Sequence, residues 1–130
     1  MTKQRISIVI ADDNDVMRSV LRAMLRGEEY DVIGEASNGV VAVDLAGRLK
    51  PDIVCLDVMM PEKNGIEALC EIKSTQPDTE VVMVTSSSDP ATVQESIQNG
   101  ASGYIIKPFN AARVLDTLAR VATRIRQRKA

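Results

Sequence analysis

Ile53-Val54-Cys55-Leu56 is an apolar run with no polar break, and it stops on a carboxylate, Asp57. Such a run reads as a strand buried on both faces. Val81–Val84 is a second continuous apolar run, and further strands are predicted at Ile6–Ala11, Tyr30–Ala36 and Gly103–Ile106. Between them, apolar residues recur at helical spacing. The predicted stripes are Val16, Met17, Val20, Leu21, Met24 and Leu25; Val41, Ala42, Leu45 and Leu49; Ile66, Leu69, Cys70 and Ile72; Val93 and Ile97; and Val114, Leu115, Leu118, Val121, Ala122 and Ile125.

Turn and cap residues punctuate the pattern. Asn14 or Asp15 can cap the first helix and Gly27 ends it. Ser37-Asn38-Gly39 opens the second helix, and Pro51 prevents its continuation. The third helix stops before Pro77. Asp89-Pro90 is a cap followed by proline at the first helical position, and Asn99-Gly100 closes that fourth helix. Asn110 caps the fifth. Strand and helix therefore alternate through five units. Strict alternation implies an α/β fold: a parallel sheet with helices on both faces and right-handed crossovers. No linker or second domain interrupts it, and one domain over residues 1–130 is expected.

In a parallel sheet every strand ends at the same edge. Those ends carry Asp12-Asp13, Asp57, Thr85 and Lys107, while the second strand adds only Ser37-Asn38. Taken singly, each group has an ordinary explanation as a helix cap, a strand-end hydroxyl or a solvated charge. The joint arrangement does not. Two like charges about 4 Å apart cost on the order of 1 kcal/mol in water and about 4 kcal/mol at an effective dielectric of 20. Three carboxylates kept together therefore call for a cation. Oxygen ligands without nitrogen or sulfur point to Mg²⁺. A metal, a lysine and a hydroxyl around one carboxylate suit phosphoryl transfer with that carboxylate as nucleophile.

Composition narrows the chemistry further. The chain has no histidine, which removes Ser-His-Asp catalysis, histidine metal ligation and a phosphohistidine carrier role. Cys55 and Cys70 without a histidine make no zinc site, and both are expected in the core of a reducing compartment. The hydrophobic fraction of 45% and charged fraction of 26% are ordinary for a globular protein. No apolar run approaches a membrane span and the N-terminus does not read as a signal peptide, so a cytoplasmic protein is expected. The net charge of −2 conceals a basic end: residues 122–130 carry Arg124, Arg126, Arg128 and Lys129 with no acid. A solvated, frayed helix end is expected there, ahead of a contact with nucleic acid or an acidic partner. Neither an aromatic platform nor a basic balance marks a nucleic-acid surface.

Ile-Val-Ile-Ala-Asp-Asp at 8–13, Asp57 followed by Met60-Pro61 and Gly65, Val84-Thr85-Ser86, and Gly-Ala-Ser-Gly-Tyr-Ile-Ile-Lys-Pro-Phe at 100–109 together resemble a response-regulator receiver domain. The resemblance spans essentially the whole chain and is strongest to the single-domain, CheY-like kind. It implies a flavodoxin-like (βα)5 fold of three α/β/α layers with strand order 2-1-3-4-5. It also implies that Asp57 is the phospho-acceptor and that Asp13 and Asp57 ligate Mg²⁺ directly. Asp12 would be the second acid of the pair, and the backbone carbonyl of Met59 the remaining protein ligand. Lys107 would contact the phosphoryl group, with a cis bond to Pro108. Thr85 and Tyr104 would be the switch hydroxyl and the switch aromatic. Met59 and Ser87 would border the path of a hydrolytic water.

The expected function is that of a signalling module, not an enzyme: Mg²⁺-dependent phosphorylation by a sensor histidine kinase or histidine phosphotransfer protein, read by a downstream protein on the helix 4–strand 5–helix 5 face. A chemotaxis-type adaptor leads the possible outputs, as a monomer or weak phosphorylation-dependent dimer, with no output domain. Three alternatives stand beside it. A haloacid-dehalogenase-like phosphohydrolase would use Asp13-Asn14-Asp15 but leaves Asp57 and Met60-Pro61 unexplained. A flavodoxin-like cofactor binder would meet phosphate with an acidic first loop. The chain could also be the receiver fragment of a longer transcriptional regulator.

Overall fold

The computed structural model describes residues 5–27 and 29–129. Residues 1–4 of the N-terminal stretch, and Ala130 of the basic end, lie outside the described residues. The elements follow in strict alternation: β1 (Ile6–Ala11), α1 (Asp15–Leu25), β2 (Tyr30–Ala36), α2 (Gly39–Leu49), β3 (Ile53–Leu56), α3 (Gly65–Thr75), β4 (Glu80–Thr85), α4 (Pro90–Gln98), β5 (Gly103–Ile106) and α5 (Ala111–Lys129). The five strands form one sheet in the order β2-β1-β3-β4-β5, and every pairing is parallel. This is the flavodoxin-like fold and strand order that the resemblance implied.

The unbroken apolar runs divide by alternate residues between two cores. Ile6, Ile8 and Ile10 of β1, Ile53 and Cys55 of β3, and Val82 and Val84 of β4 face a cluster completed by α1 and α5. Val9, Ala11, Val54, Leu56, Val81 and Met83 face the other cluster, closed by α2 and α3. Each fully buried Val, Leu or Ile contributes about 1.5–3 kcal/mol, so the three central strands carry much of the stability. Cys55 lies inside, and burial pushes its thiol up to about 12.

Caps resolve as the local sequence asks. Asn14, and not Asp15, caps α1 by accepting from the Met17 amide. Asn38 caps α2, and Asn64 forms a reciprocal capping box with Glu67 at the start of α3. Asn110 accepts from the Arg113 amide at 2.8 Å.

Several predicted helix faces need correction. Val16 is 68% exposed, Val41 and Leu49 are also exposed, and Cys70 is exposed instead of lying in the core. On α2 the buried residues are Gly39, Ala42 and Ala46, because small side chains let the helix lie close. Leu49 overhangs the edge strand, where its methyl group and that of Leu45 cover Gly34. On α4 the buried residue is Ser96, whose hydroxyl donates to the Thr92 carbonyl at 2.9 Å, while Ile97 is 52% exposed.

The basic end of α5 is not a frayed, solvated helix end. Arg126 pairs with Glu29 at 2.7 Å, Arg128 with Glu80 at 2.6 Å, and Lys129 with Asp52 at 2.8 Å. These acids stand at the N-terminal ends of β2, β4 and β3, so the helix end is tied to the sheet edge opposite Asp57. Glu80 is buried, which pushes its carboxyl upward. Hydrogen bonds from Ser102 and Arg128, with the charges of Lys73 and Arg128, outweigh that and hold it below 4.5. A depressed carboxylate stabilises the fold above its unfolded pKa, and the contribution is lost as pH falls through the folded value. Glu80→Gln should therefore lower the Tm at neutral pH, and the gap to the parent should close as the pH drops below about 4.5. Thermal melts at several pH values check this; a pH-independent gap would contradict it.

Candidate functional site

The strand ladders continue one residue past the strands and set the site. The Asp12 amide donates to the Ala36 carbonyl at 3.0 Å, that of Asp57 to Ala11 at 3.0 Å, and that of Lys107 to Thr85 at 2.8 Å. Backbone bonding thus places three of the predicted site residues, Asp12, Asp57 and Lys107, on one rim before any side-chain contact is counted.

There, Asp12, Asp13 and Asp57 each offer a carboxylate oxygen within 4.8 Å of the others. Asp12 and Asp57 are buried, at 1% and 6% exposure, while Asp13 is exposed. The Lys107 ammonium reaches across from β5 to bond Asp12 Oδ2 at 2.6 Å and Asp57 Oδ2 at 2.9 Å. The second oxygens accept backbone N–H groups: Asn14 on Asp12 at 2.9 Å and Met59 on Asp57 at 3.1 Å. Burial alone would lower the Lys107 pKa, but hydrogen bonds and charges from Asp12 and Asp57 hold it above 10.5. Lys107 is therefore a fixed cation at neutral pH. One cation against three carboxylates leaves the cluster anionic, and its donors are all hard oxygens. That donor set fits Mg²⁺.

The remaining predicted residues sit around this centre in two groups. Met59 lends its amide to Asp57 while its side chain is 66% exposed. Thr85 is fully buried, and its hydroxyl accepts from the Ser87 amide at 3.3 Å. Tyr104 is half-buried against the α2/α3 core, and its hydroxyl donates to the Ser87 carbonyl at 2.8 Å. Burial, with the charges of Asp57 and Asp89, raises the phenol pKa. The structure therefore joins Asp12, Asp13, Asp57 and Lys107 in one cluster and links Thr85 to Tyr104 through the Ser87 backbone. Among the described hydrogen bonds, none runs from Thr85 or Tyr104 to the carboxylates. The Lys107–Pro108 bond is cis.

Two supports escaped the sequence, one wholly and one in part. Arg18 of α1 donates to the Asp12 carbonyl and to the Asp15 carboxylate. Its Nε donates to Glu35 at 3.3 Å, and Glu35 is also held by Arg22. Only the position of Arg18 and Arg22 one turn apart on α1, on the side that meets β2, hints at this. Gly65 was visible as part of the motif that follows Asp57, but its steric constraint was not. Its amide donates to the Val58 carbonyl at 2.8 Å, and a Cβ there would lie 2.1 Å from the Asp57 carbonyl oxygen.

Fold and site define a doubly wound α/β domain with an acidic, lysine-bridged pocket at its strand ends. The family model described as the response regulator receiver domain matches residues 8–119, and the chain belongs to that family. It is 38% identical over 117 residues to the chemotaxis protein CheY of Listeria monocytogenes, covering 90% of this chain and 98% of that one. It is 40% identical over 117 residues to the transcriptional regulatory protein LnrK of Bacillus subtilis, covering 89% of this chain and 53% of LnrK. Among solved structures, the CheX-CheY-BeF3-Mg²⁺ complex of Borrelia burgdorferi superposes with a TM-score of 0.88 at 28% identity, over 91% of this chain and 90% of that one.

Two substitutions test this geometry. Gly65→Ala places a methyl group against backbone that carries Asp57, and overpacking of this kind costs about 1–3 kcal/mol. Denaturant melts should show that loss. Asp13→Asn removes one charge from the anionic cluster. In EDTA it should raise stability by about 1 kcal/mol, the scale of a like-charge pair near water. In excess Mg²⁺ that gain should shrink or reverse, as melts with and without the ion would show.

Proposed function

We propose that the chain is a phospho-accepting receiver in which Asp57 takes a phosphoryl group from a sensor histidine kinase or histidine phosphotransfer protein. The observation that carries this is the Lys107 ammonium bonded to both Asp12 and Asp57 within a three-carboxylate cluster. An Asp57 carboxylate oxygen attacks phosphorus, and the bond from phosphorus to the donor's imidazole nitrogen, or to a small acyl phosphate's oxygen, breaks with its electron pair leaving on the donor. Lys107, already placed 2.9 Å from Asp57 Oδ2, stabilises charge on the transferring oxygens. Asp12, Asp13, Asp57 and the Met59 backbone carbonyl would hold Mg²⁺, which supplies further charge neutralisation at those oxygens. The buried flank of Asp12 and Asp57 limits water access to the acyl phosphate, while exposed Met59 offers no hydrogen bond to a hydrolytic water.

The new group carries about −1.5 to −2 charges and several acceptor oxygens. Thr85 turns its hydroxyl from the Ser87 amide toward the phosphoryl group. Because Ser87 also accepts from Tyr104, that change is passed to Tyr104, and the α4–β5–α5 face changes shape for a downstream protein. We read the chain as a one-domain, cytoplasmic signalling module of the chemotaxis-adaptor type. A specific observation favours a second reading, the receiver part of a transcriptional regulator: LnrK is matched over only about half of its length.

Incubation with Mg²⁺ and acetyl phosphate should add one phosphate to the protein and none to Asp57→Ala, read by intact-mass spectrometry. Equal labelling of the two would remove Asp57 as the acceptor. Turnover of a generic phosphate ester lost in Asp13→Asn but kept in Asp57→Asn would favour a phosphohydrolase instead.

A further inference from the structure

We infer that Arg18 is a positioning residue for the acidic pocket: it clamps the Asp12–Asp13 peptide and so sets where Asp13 presents its carboxylate to a divalent cation. The inference rests on the phospho-accepting, Mg²⁺-binding reading above.

Asp13 is the least supported member of the cluster. Lys107 and the Asn14 amide hold the Asp12 carboxylate, and Lys107 and the Met59 amide hold that of Asp57. Asp13 accepts no hydrogen bond among the described residues, and it is exposed. Its direction is therefore set by its backbone. The Asp12 carbonyl belongs to the planar peptide that ends in the Asp13 amide, so fixing that carbonyl fixes the plane from which Asp13 projects. The group that fixes it is the Arg18 guanidinium.

Arg18 is built for this task. Its side chain is only 16% exposed. Its guanidinium is planar with several donors in a fixed fork, and here the donors go to three different acceptors: the Asp12 carbonyl, Asp15 and Glu35. Glu35 precedes Ala36, whose carbonyl takes the Asp12 amide. The same end of β2 therefore holds Asp12 at its amide directly and at its carbonyl through Glu35 and Arg18. Arg22 shares Glu35 and also bonds Ser19, but has no bond to the Asp12 carbonyl. It provides an internal control within one ion-pair network.

Mg²⁺ titrations followed by the amide resonances of Asp13 and Asp57 decide the matter, with melts in EDTA recording stability separately. Removing a group that orients a metal ligand weakens metal affinity by about tenfold or more. Arg18→Ala should show about that loss. Arg22→Ala should titrate like the parent, even where its melting temperature falls as far. Arg18→Lys keeps the charge without the fork and should stay weak. Parent-like affinity in Arg18→Ala overturns the inference. So does an equal loss in Arg22→Ala, or full recovery in Arg18→Lys. Should Arg18→Ala not fold, Arg18→Lys against Arg22→Ala decides on the same criteria. A parent protein whose Asp57 amide does not respond to Mg²⁺ is a different result: it removes the function proposed above, and this inference with it.

Discussion

The Lys107 ammonium between Asp12 and Asp57 is the interaction on which the rim depends. It joins β5 to β1 and β3, across β4, at the edge where the sheet would otherwise be forced apart by like charge. Two buried carboxylates without it would each lack a compensating partner, and an uncompensated buried charge costs several kcal/mol. With it, one positive charge serves two acids and the third acid, Asp13, is left in contact with water. The cluster is thereby stable enough to fold yet still anionic enough to attract a cation. Backbone bonding makes the arrangement stiff, because the residues that carry these charges are themselves the last rungs of the ladders.

Charge is arranged differently at the opposite edge. There the cations come from one helix, α5, and the acids from three separate strand starts. Each of these acids has at least one cation beside it, and Glu80 has two from the helix, Arg128 at 2.6 Å and Arg124 at 3.9 Å. The two edges use the same residue types for opposite ends. One edge keeps an unmatched acid and a shared lysine, and the other cancels its charge and anchors the longest helix. This is why the basic run near the end of the chain is not a free patch, although its composition alone invites that thought.

The strands were legible almost residue by residue, since a strand buried on both faces leaves an unbroken apolar run with sharp polar ends. The rim was legible for the same reason: parallel topology converts the residue after each run into a neighbour of the others. Helix faces were less so. Ile97 and Val41 fit a helical stripe but lie outside, and Ser96 and Ala46 lie inside without announcing themselves. A helix that packs closely buries small residues, and hydrophobicity is a poor guide to small residues. Cys70 was misplaced in the same way. The Arg18–Glu35 contact was hidden for another reason, because it depends on how α1 lies against the end of β2, and no spacing along the chain encodes a contact between two elements. Pocket residues, each within two residues of a strand end, were visible; the residues that hold them from behind were not.

The placement of Ser87 links the two halves of the site. Its amide is spent on the Thr85 hydroxyl and its carbonyl on the Tyr104 hydroxyl. The same peptide segment therefore senses both the buried threonine next to the pocket and the aromatic ring on β5. Neither bond touches a carboxylate, so among the described hydrogen bonds none joins the Tyr104 ring directly to the charge cluster. In the proposed switch, a movement of the Thr85 hydroxyl toward Asp57 would pull on the Ser87 amide, and the residue that carries this amide also holds the tyrosine through its carbonyl. Under the proposed function, coupling would need no long pathway: three residues, two hydrogen bonds and one strand-end loop would connect an electrostatic event at the rim to the shape of the outer face.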